Sequence, residues 1–216
     1  PVIGTGQPGD DENKPAIVVL PFKNIGGETG QDYFADGITE DIITALSRIR
    51  WLFVIACNTS FAYRGIAVIV PQVARELGVR YVLEGSVQKA GDRIRINAQL
   101  IDGDSGNHLW AERYDRQLDD VFKVQDEITE NIAGALEPQM VVAENVRVRQ
   151  KPVQNLGAWD LTIRAIALCR EFTNKGSLGA LKLLDRALEI DQSYARAWSQ
   201  KAWITCWRIH QGWDDV

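Results

Sequence analysis

The side chains that could carry out a reaction are scattered along this sequence rather than grouped. The chain has two histidines, His108 and His210, and its three cysteines include no CxxC pair. This set offers no support for a Ser-His-Asp or Cys-His catalytic group and is a poor set of zinc ligands. We therefore predict no catalytic residue, no metal ligand and no bound cofactor in this chain.

Two glycine-rich segments have the residue types of ion-binding loops. Asp102 and Asp104 lie in the segment DGDSG, where a turn explains the two carboxylates better than a metal pair does. The segment NIGGETGQ, residues 24–31, lies between an apolar run and a helical pattern, which permits anion binding at the start of the helix. It lacks the Lys-Ser/Thr pair of a phosphate-binding P-loop, so a turn is the favoured interpretation.

A few charged residues in the predicted strands could contact a ligand. Glu84 precedes Gly85 within an apolar, β-branched run, and a glycine inside a strand marks a bulge or a close backbone approach. Arg113 could pair with Glu84 or with Asp115 across neighbouring strands. We favour this structural role over ligand binding, and we keep Glu84, Arg113 and Asp115 as interaction candidates.

Three tryptophans near the end of the sequence form a second candidate surface. Trp203 and Trp207 lie four residues apart on one helical face, whereas Trp198 lies about 140° from Trp203 at about 100° per residue. Packing between helices is the favoured role for these rings. The alternative is an aromatic surface that anchors a protein or peptide partner.

Composition limits the class of partner and the compartment. The chain has 24 Lys and Arg against 29 Asp and Glu, a net charge of −5, so it repels polyanions and we predict no nucleic-acid partner. We predict no membrane partner either, because no apolar run approaches the roughly 20 residues that span a bilayer and no signal peptide is present. The dispersed Cys57, Cys169 and Cys206 favour buried thiols in a reducing compartment, so we expect a cytoplasmic protein.

The hydrophobic pattern predicts an α/β domain with a mixed sheet and the element order βαβαβββα. Continuous apolar runs predict buried strands, and spacings of three and four residues predict helices. Strict alternation in residues 93–101 predicts an antiparallel strand with one wet face. The predicted elements, in chain order, are residues 16–22, 33–49, 52–56, 71–78, 79–87, 93–101, 107–114 and 121–136.

An all-α region of three helical segments follows a polar break. The segments are Trp159–Phe172, Leu178–Ile190 and Tyr194–Ile209, and the short turns between them predict a helical hairpin of antiparallel neighbours. We expect Pro138 to interrupt the preceding helix. The resulting division is a linker at 1–15, the α/β domain at 16–137, a linker or connecting helix at 138–157, and the helical region at 158–216.

The segment ALKLLDRALEIDQSYARAW, residues 180–198, resembles the tetratricopeptide repeat. In that repeat small residues such as Ala180 and Ala187 let one helix nest against the next, and an aromatic residue such as Tyr194 opens the following helix. Gln192 stands where proline is usual, and Lys201 stands where leucine is usual. Because about three repeats are needed to bury a continuous core, we expect the natural protein to continue past Val216.

The α/β region is similar to the TolB-N-terminal-like domain over most of residues 16–136. The segments that carry the resemblance are AIVVLPF, YFADGITEDIITALS, SFAYRG, VARELGVRYVLEGSVQKAGDRIRINAQLID and HLWAERYDRQLDDVFKVQDEI. With the helical region, they resemble the C-terminal region of bacterial class III adenylate/guanylate cyclases. The resemblance begins after the catalytic core of those enzymes, so it implies no cyclase residue in this chain.

The leading hypothesis from this resemblance is a non-catalytic signalling region, with cyclic AMP synthesis in an N-terminal domain outside this sequence. We expect the helical array to bind a protein or peptide on its concave surface, and the α/β domain to sense or bind a small ligand. Two alternatives stay open. One is the sensory or interaction region of a winged-helix transcription regulator, and the other is a small-molecule receptor domain.

Overall fold

A computed structural model describes this chain at residues 14–26, 32–118, 120–150 and 157–214. The described residues fall into two compact units, one of residues 14–140 and one of residues 141–214. The first contains a mixed sheet with helices and the second is helical, which confirms the predicted fold class. The predicted linker at 1–15 lies almost entirely outside the described residues, as does most of the glycine-rich segment at 24–31.

The first unit combines strands and helices, and the second is made of helices. The first unit contains β1 (Ala16–Val19), β2 (Lys23–Asn24), α1 (Asp32–Leu46), β3 (Phe53–Val54), α2 (Cys57–Phe61), α3 (Val70–Leu77), β4 (Tyr81–Ala90), β5 (Arg93–Asp102), β6 (His108–Gln117) and the first part of α4 (Val121–Gln150). The second contains the rest of α4, α5 (Ala158–Cys169), α6 (Asn174–Ile190) and α7 (Ala195–His210).

The sheet joins a parallel half to an antiparallel half. Its strand order is β3-β1-β4-β5-β6, and β2 pairs with β4 beside this path. β1 runs parallel to β3 and β4, because α1 and the segment through α3 return the chain to the same end of the sheet. β4, β5 and β6 form an antiparallel meander, with Glu84 opposite Gln99 and Ile96 opposite Tyr114.

Helices cover the two faces of the sheet unequally. α1 and α4 pack together at Gly37, where an added Cβ would lie 2.3 Å from Nε2 of Gln125. α4 lies on the Ile94 face, because Arg116, opposite Ile94, bonds Glu127 of α4 at 2.8 Å. On the other face α3 covers the parallel half, and among the described residues a groove lies over the antiparallel half beyond it. The residues buried between α3 and the sheet are Ala16, Val18, Leu20, Val73, Ala74, Val79 and Val82.

The predicted interruption at Pro138 is wrong, because α4 continues through it to Gln150. A proline inside a helix lacks the N–H that would bond the carbonyl four residues earlier. Here that carbonyl belongs to Gly134, and both Gly134 and Pro138 are exposed. Water can therefore bind the carbonyl, and the apolar stripe on the opposite side continues to fix the helix.

Small residues let α6 pack closely in the second unit. Ala180, Leu184 and Ala187 are fully buried, as are Ala197 and Ile204 of α7. The side chain of Thr173 accepts a hydrogen bond from the backbone N–H of Gly176 at 3.0 Å and caps the start of α6. This packing has the small-large-small pattern on which the tetratricopeptide resemblance rests, and that assignment stays a prediction.

Candidate functional site: a polar groove on the open face of the sheet

A groove of about 540 Å³ lies beside Glu84 on the open face of the sheet. β4 and β5 form its floor, and the end of β1, β2 and residues 63–68 form its walls. Tyr63, Ile66 and Val68 make one wall apolar, whereas the floor is polar. Sites for small ligands have volumes of about 300–1,000 Å³ and a similar mixture of apolar walls with a few polar groups.

Cross-strand hydrogen bonds hold the polar side chains of the groove floor. Oε1 of Glu84 accepts from Nε2 of Gln99 at 2.6 Å, and Oγ of Ser86 accepts from Nδ2 of Asn97 at 3.1 Å. Each pair joins residues directly opposite in the β4–β5 register, so the strands themselves position these groups. Lys23 of β2 stands opposite Ser86 and is exposed at the rim.

The charges of the groove determine what it can bind. The half-buried Glu84 carboxylate has acceptor capacity beyond its bond to Gln99, since an ionised carboxylate accepts about four hydrogen bonds. Lys23 can donate to an anionic or carbonyl group of the same molecule. The groove can therefore bind a small molecule that carries a cationic or hydrogen-bond-donating group.

Gly85 is required at the floor of the groove because β4 passes close to its neighbours there. A Cβ added at Gly85 would lie 2.3 Å from Cε1 of Phe22 and 2.5 Å from the carbonyl oxygen of Asn97. This confirms the close backbone approach that its place within a strand predicted. The buried Phe22 is held in turn by a 3.1 Å bond from its backbone N–H to Oγ1 of Thr39 in α1.

Arg113 and Asp115 lie on β6, at the edge of the sheet and away from the groove. Asp115 accepts a 2.6 Å bond from Nε of Arg95 on β5, and Nε of Arg113 lies 3.4 Å from its other carboxylate oxygen. The hydrogen bond from Arg95 is the main reason that the pKa of Asp115 lies below its ordinary value. The predicted alternative of an Arg113–Glu84 pair is wrong, because β5 separates the strands that carry them. Arg113 and Asp115 contact each other, but along one strand rather than across two.

The structure brings Trp203 and Trp207 together, as their spacing predicted. Their rings are parallel within 3°, with centroids 6.2 Å apart. Trp207 also meets Phe172 edge-on at 5.8 Å and Trp213 edge-on at 5.0 Å. Trp203 and Phe172 are 53% and 65% exposed, so this aromatic cluster both packs the helical unit and presents apolar surface to solvent.

Trp198 stands apart from the aromatic cluster. Its indole N–H donates to the backbone carbonyl of Gln192 at 2.9 Å, and the Lys201 ammonium lies 5.5 Å from its ring centroid. The ring is 51% exposed. It is therefore a second, separate aromatic position on the helical unit.

Arg208 is a structural residue that the sequence reasoning missed. It is 1% exposed and makes a bidentate pair with Asp214, with bonds of 2.5 and 2.6 Å. Its remaining nitrogen donates to Asn174 and to Oγ of Ser177, which ties the start of α6 to the end of α7. The same pair holds the pKa of Asp214 below its ordinary value, through the hydrogen bond first. The available signal was spacing, since Arg208 falls four residues after the core residue Ile204.

The cysteines differ from one another in burial. Cys169 is buried, as predicted, and burial raises the pKa of its thiol. Cys206 is exposed and Cys57 half-buried, so the prediction of buried thiols is wrong for Cys206, which lies on an outer face of α7. Within the described ranges no three His, Cys, Asp or Glu side chains are grouped to hold a metal ion. No helix in those ranges combines the length and hydropathy needed to cross a bilayer.

The chain belongs to the family described as the second domain of HilA/YgeH-like transcriptional regulators, whose model matches residues 13–131. The match covers just over half of the chain and nearly all of the α/β unit. The resemblance to the TolB-N-terminal-like domain was drawn from the same residues.

A curated relative gives a second description. The chain is 53% identical over 184 residues to a Rhizobium meliloti (strain 1021) protein named "Putative adenylate cyclase 3". The alignment covers 85% of this chain and 31% of that protein, so the chain spans about a third of the relative's length.

Solved structures show lower similarity. The lipoprotein GNA1162 from Neisseria meningitidis is 18% identical with a TM-score of 0.42, covering 56% of this chain and 98% of that one. TolB from Acinetobacter baumannii is also 18% identical, with a TM-score of 0.40, covering 56% of this chain and 28% of that one. Likeness at this level does not define a function.

Proposed function

We propose that this chain is the non-catalytic regulatory and protein-interaction region of a bacterial class III adenylate cyclase. The observation that carries the proposal is the 53% identity, over 85% of the chain, to a protein named as an adenylate cyclase. The aligned part is 31% of that protein, and the proposal assigns cyclic AMP synthesis to the part outside it.

The two units have different roles in this proposal. The α/β unit binds a small molecule in the groove beside Glu84, whose volume and mixed lining suit such a ligand. The helical unit binds a protein or peptide through the surface that includes Trp203 and Trp198, since half-exposed aromatic rings are common anchors at interfaces. Ligand and partner would then control the synthesis of cyclic AMP.

A second candidate function is favoured by the family match, whose description names transcriptional regulators. In that case the same α/β unit regulates a DNA-binding domain. To distinguish the two functions, one preparation of the natural-length protein is assayed both for cyclic AMP formation and for DNA binding. Our proposal expects conversion of ATP to cyclic AMP and no sequence-specific DNA binding. DNA binding without cyclase activity would favour the second function.

The ligand site predicts that some small molecules stabilise the chain through Glu84. A panel of nucleotides and cationic metabolites should contain compounds that raise the thermal midpoint, since a ligand at about 100 times its Kd adds about 2.7 kcal/mol. Glu84→Gln keeps the shape of the groove but removes its negative charge, so it should abolish the shift for a cationic compound. Glu130→Gln, on the exposed side of α4, is the matched control and should keep it. A panel without any effect, or an equal shift in the Glu84 variant, would contradict this site.

A further inference from the structure

β6 leaves one long edge of the sheet open. Among the described strands it is last in the order and pairs with β5 alone. Of residues 111–117, Tyr114 is buried and the others are exposed or half-buried. The outer N–H and C=O groups of such an edge can pair with another strand, and the Asp115 carbonyl, which accepts a 3.0 Å bond from Nη1 of Arg116, keeps a second lone pair for that strand.

The charges along this edge are self-complementary about Tyr114. The sequence there is Glu112-Arg113-Tyr114-Asp115-Arg116. Antiparallel pairing of two copies centred on Tyr114 places Glu112 opposite Arg116 of the second copy, and Arg113 opposite Asp115 of the second copy. The two-fold axis generates each of these charge pairs twice. Opposite charges directly across an antiparallel pair are stabilising, and like charges are destabilising.

Only this register gives full complementarity. Residues directly opposite in an antiparallel pair share a face of the sheet, so a two-fold axis between identical strands passes through a residue position. An axis at Glu112, Arg113, Asp115 or Arg116 places that charge opposite itself. An axis at Tyr114 instead places the two tyrosines opposite each other. They then form an aromatic pair on the face of each sheet that α4 covers.

We propose that the α/β unit forms a two-fold symmetric dimer in which β6 pairs antiparallel with β6 of a second copy, centred on Tyr114. The two sheets become one continuous sheet. Arg116 donates to Glu127 at 2.8 Å and Glu112 accepts from the Tyr114 hydroxyl at 2.8 Å, and each side chain has capacity for a further bond across the axis. Arg113 has 61% of its side chain exposed, and Asp115, bonded to Arg95, has 35% exposed and can accept a further donor. The dimer does not depend on the function proposed above.

A charge exchange tests this dimer with two single substitutions. Arg113→Asp places aspartates opposite one another in a homodimer, and Asp115→Arg places arginines opposite one another. The dimer affinity of each variant alone should be at least about tenfold lower than that of the unaltered chain. An equal mixture should recover a heterodimer, because every opposition at these positions is then between opposite charges. Sedimentation velocity over a concentration series measures all three affinities.

Controls separate the interface from the fold. Arg48→Asp makes the same charge change at an exposed position after α1 and should dimerise like the unaltered chain. Far-UV circular dichroism should show the same content of strand and helix in every variant. For the unaltered chain, added salt should weaken the dimer, because the ion pairs are partly exposed.

Several results would overturn the proposal. They are an unaltered chain that stays monomeric at every concentration, a single variant that dimerises as tightly as the unaltered chain, and a mixture that associates no better than its components. If the chain stays monomeric and β6 is protected from hydrogen exchange only when a peptide is added, the edge binds another protein. The dimer is then rejected.

Discussion

At the scale of single residues, Arg208 occupies a position of α7 where the helical period requires an apolar side chain. Its guanidinium is buried, but Asp214, Asn174 and Ser177 satisfy its donors. Burial of a charge is tolerated when it is paired and hydrogen-bonded. Spacing alone therefore cannot distinguish such a residue from a solvent-facing arginine, because its partners come from other segments.

Removal of this arginine should destabilise the helical unit. Arg208→Ala leaves a cavity and unpaired partners, and we expect it to lower the free energy of unfolding by about 2–4 kcal/mol. Arg186→Ala, on the exposed side of α6, should change it by less than about 0.5 kcal/mol. Urea unfolding followed by tryptophan fluorescence checks both, since Trp207 and Trp213 lie in this unit. Equal stability of the two variants would contradict the role assigned to Arg208.

Acid should weaken the same pair. Arg208 holds the pKa of Asp214 below its ordinary value in the folded chain, so the unfolded chain takes up the proton first as pH falls. The stabilisation is present above the ordinary carboxyl pKa of about 3.9 and is lost as pH falls through the folded value. The difference in thermal midpoint between the unaltered chain and Asp214→Asn should therefore shrink below about pH 4. Glu189→Gln, on an exposed face of α6, is the control. A difference between the unaltered chain and Asp214→Asn that is constant with pH would count against the pair.

At the scale of elements, β4 depends on a glycine and α4 does not. Gly85→Ala would place a methyl group against Phe22 and the Asn97 carbonyl, and we expect a loss of about 1–3 kcal/mol. Gly134→Ala in α4 meets no atom within 4 Å and should raise stability by about 1 kcal/mol, because alanine is the better helix former. Thermal unfolding of the two variants compares them directly. The opposite order of stability would contradict the packing of the groove floor.

Apart from the second half of α4, the long elements were predictable because their patterns have many repeats. The alternation of β5 identified its wet and buried faces, and the stripes of α1, α6 and α7 located those helices within a few residues. β2 and α2 are too short to show a period. β3 was predicted as a buried strand, but it is a two-residue edge strand with Phe53 53% exposed. An apolar run does not reveal which neighbours will cover it.

At the scale of the whole molecule, the sequence predicted the class of fold and not the place of the site. The strand order depends on how non-local segments meet, and no local pattern encodes it. The groove is an example, since its apolar wall at residues 63–68 has no periodicity and becomes a wall only when it lies across β4 and β5. Glu84 was identified as a candidate from its place in a strand, but its partner Gln99 required the register.

The central claim is that this chain regulates the synthesis of cyclic AMP and does not perform it. The rate of cyclic AMP formation from ATP should be measured for the natural-length protein, for that protein without residues 14–214, and for this chain alone. We predict synthesis by the first, a changed but measurable rate in the second, and none by the chain alone. Synthesis by the isolated chain, or identical rates with and without it, would contradict the account.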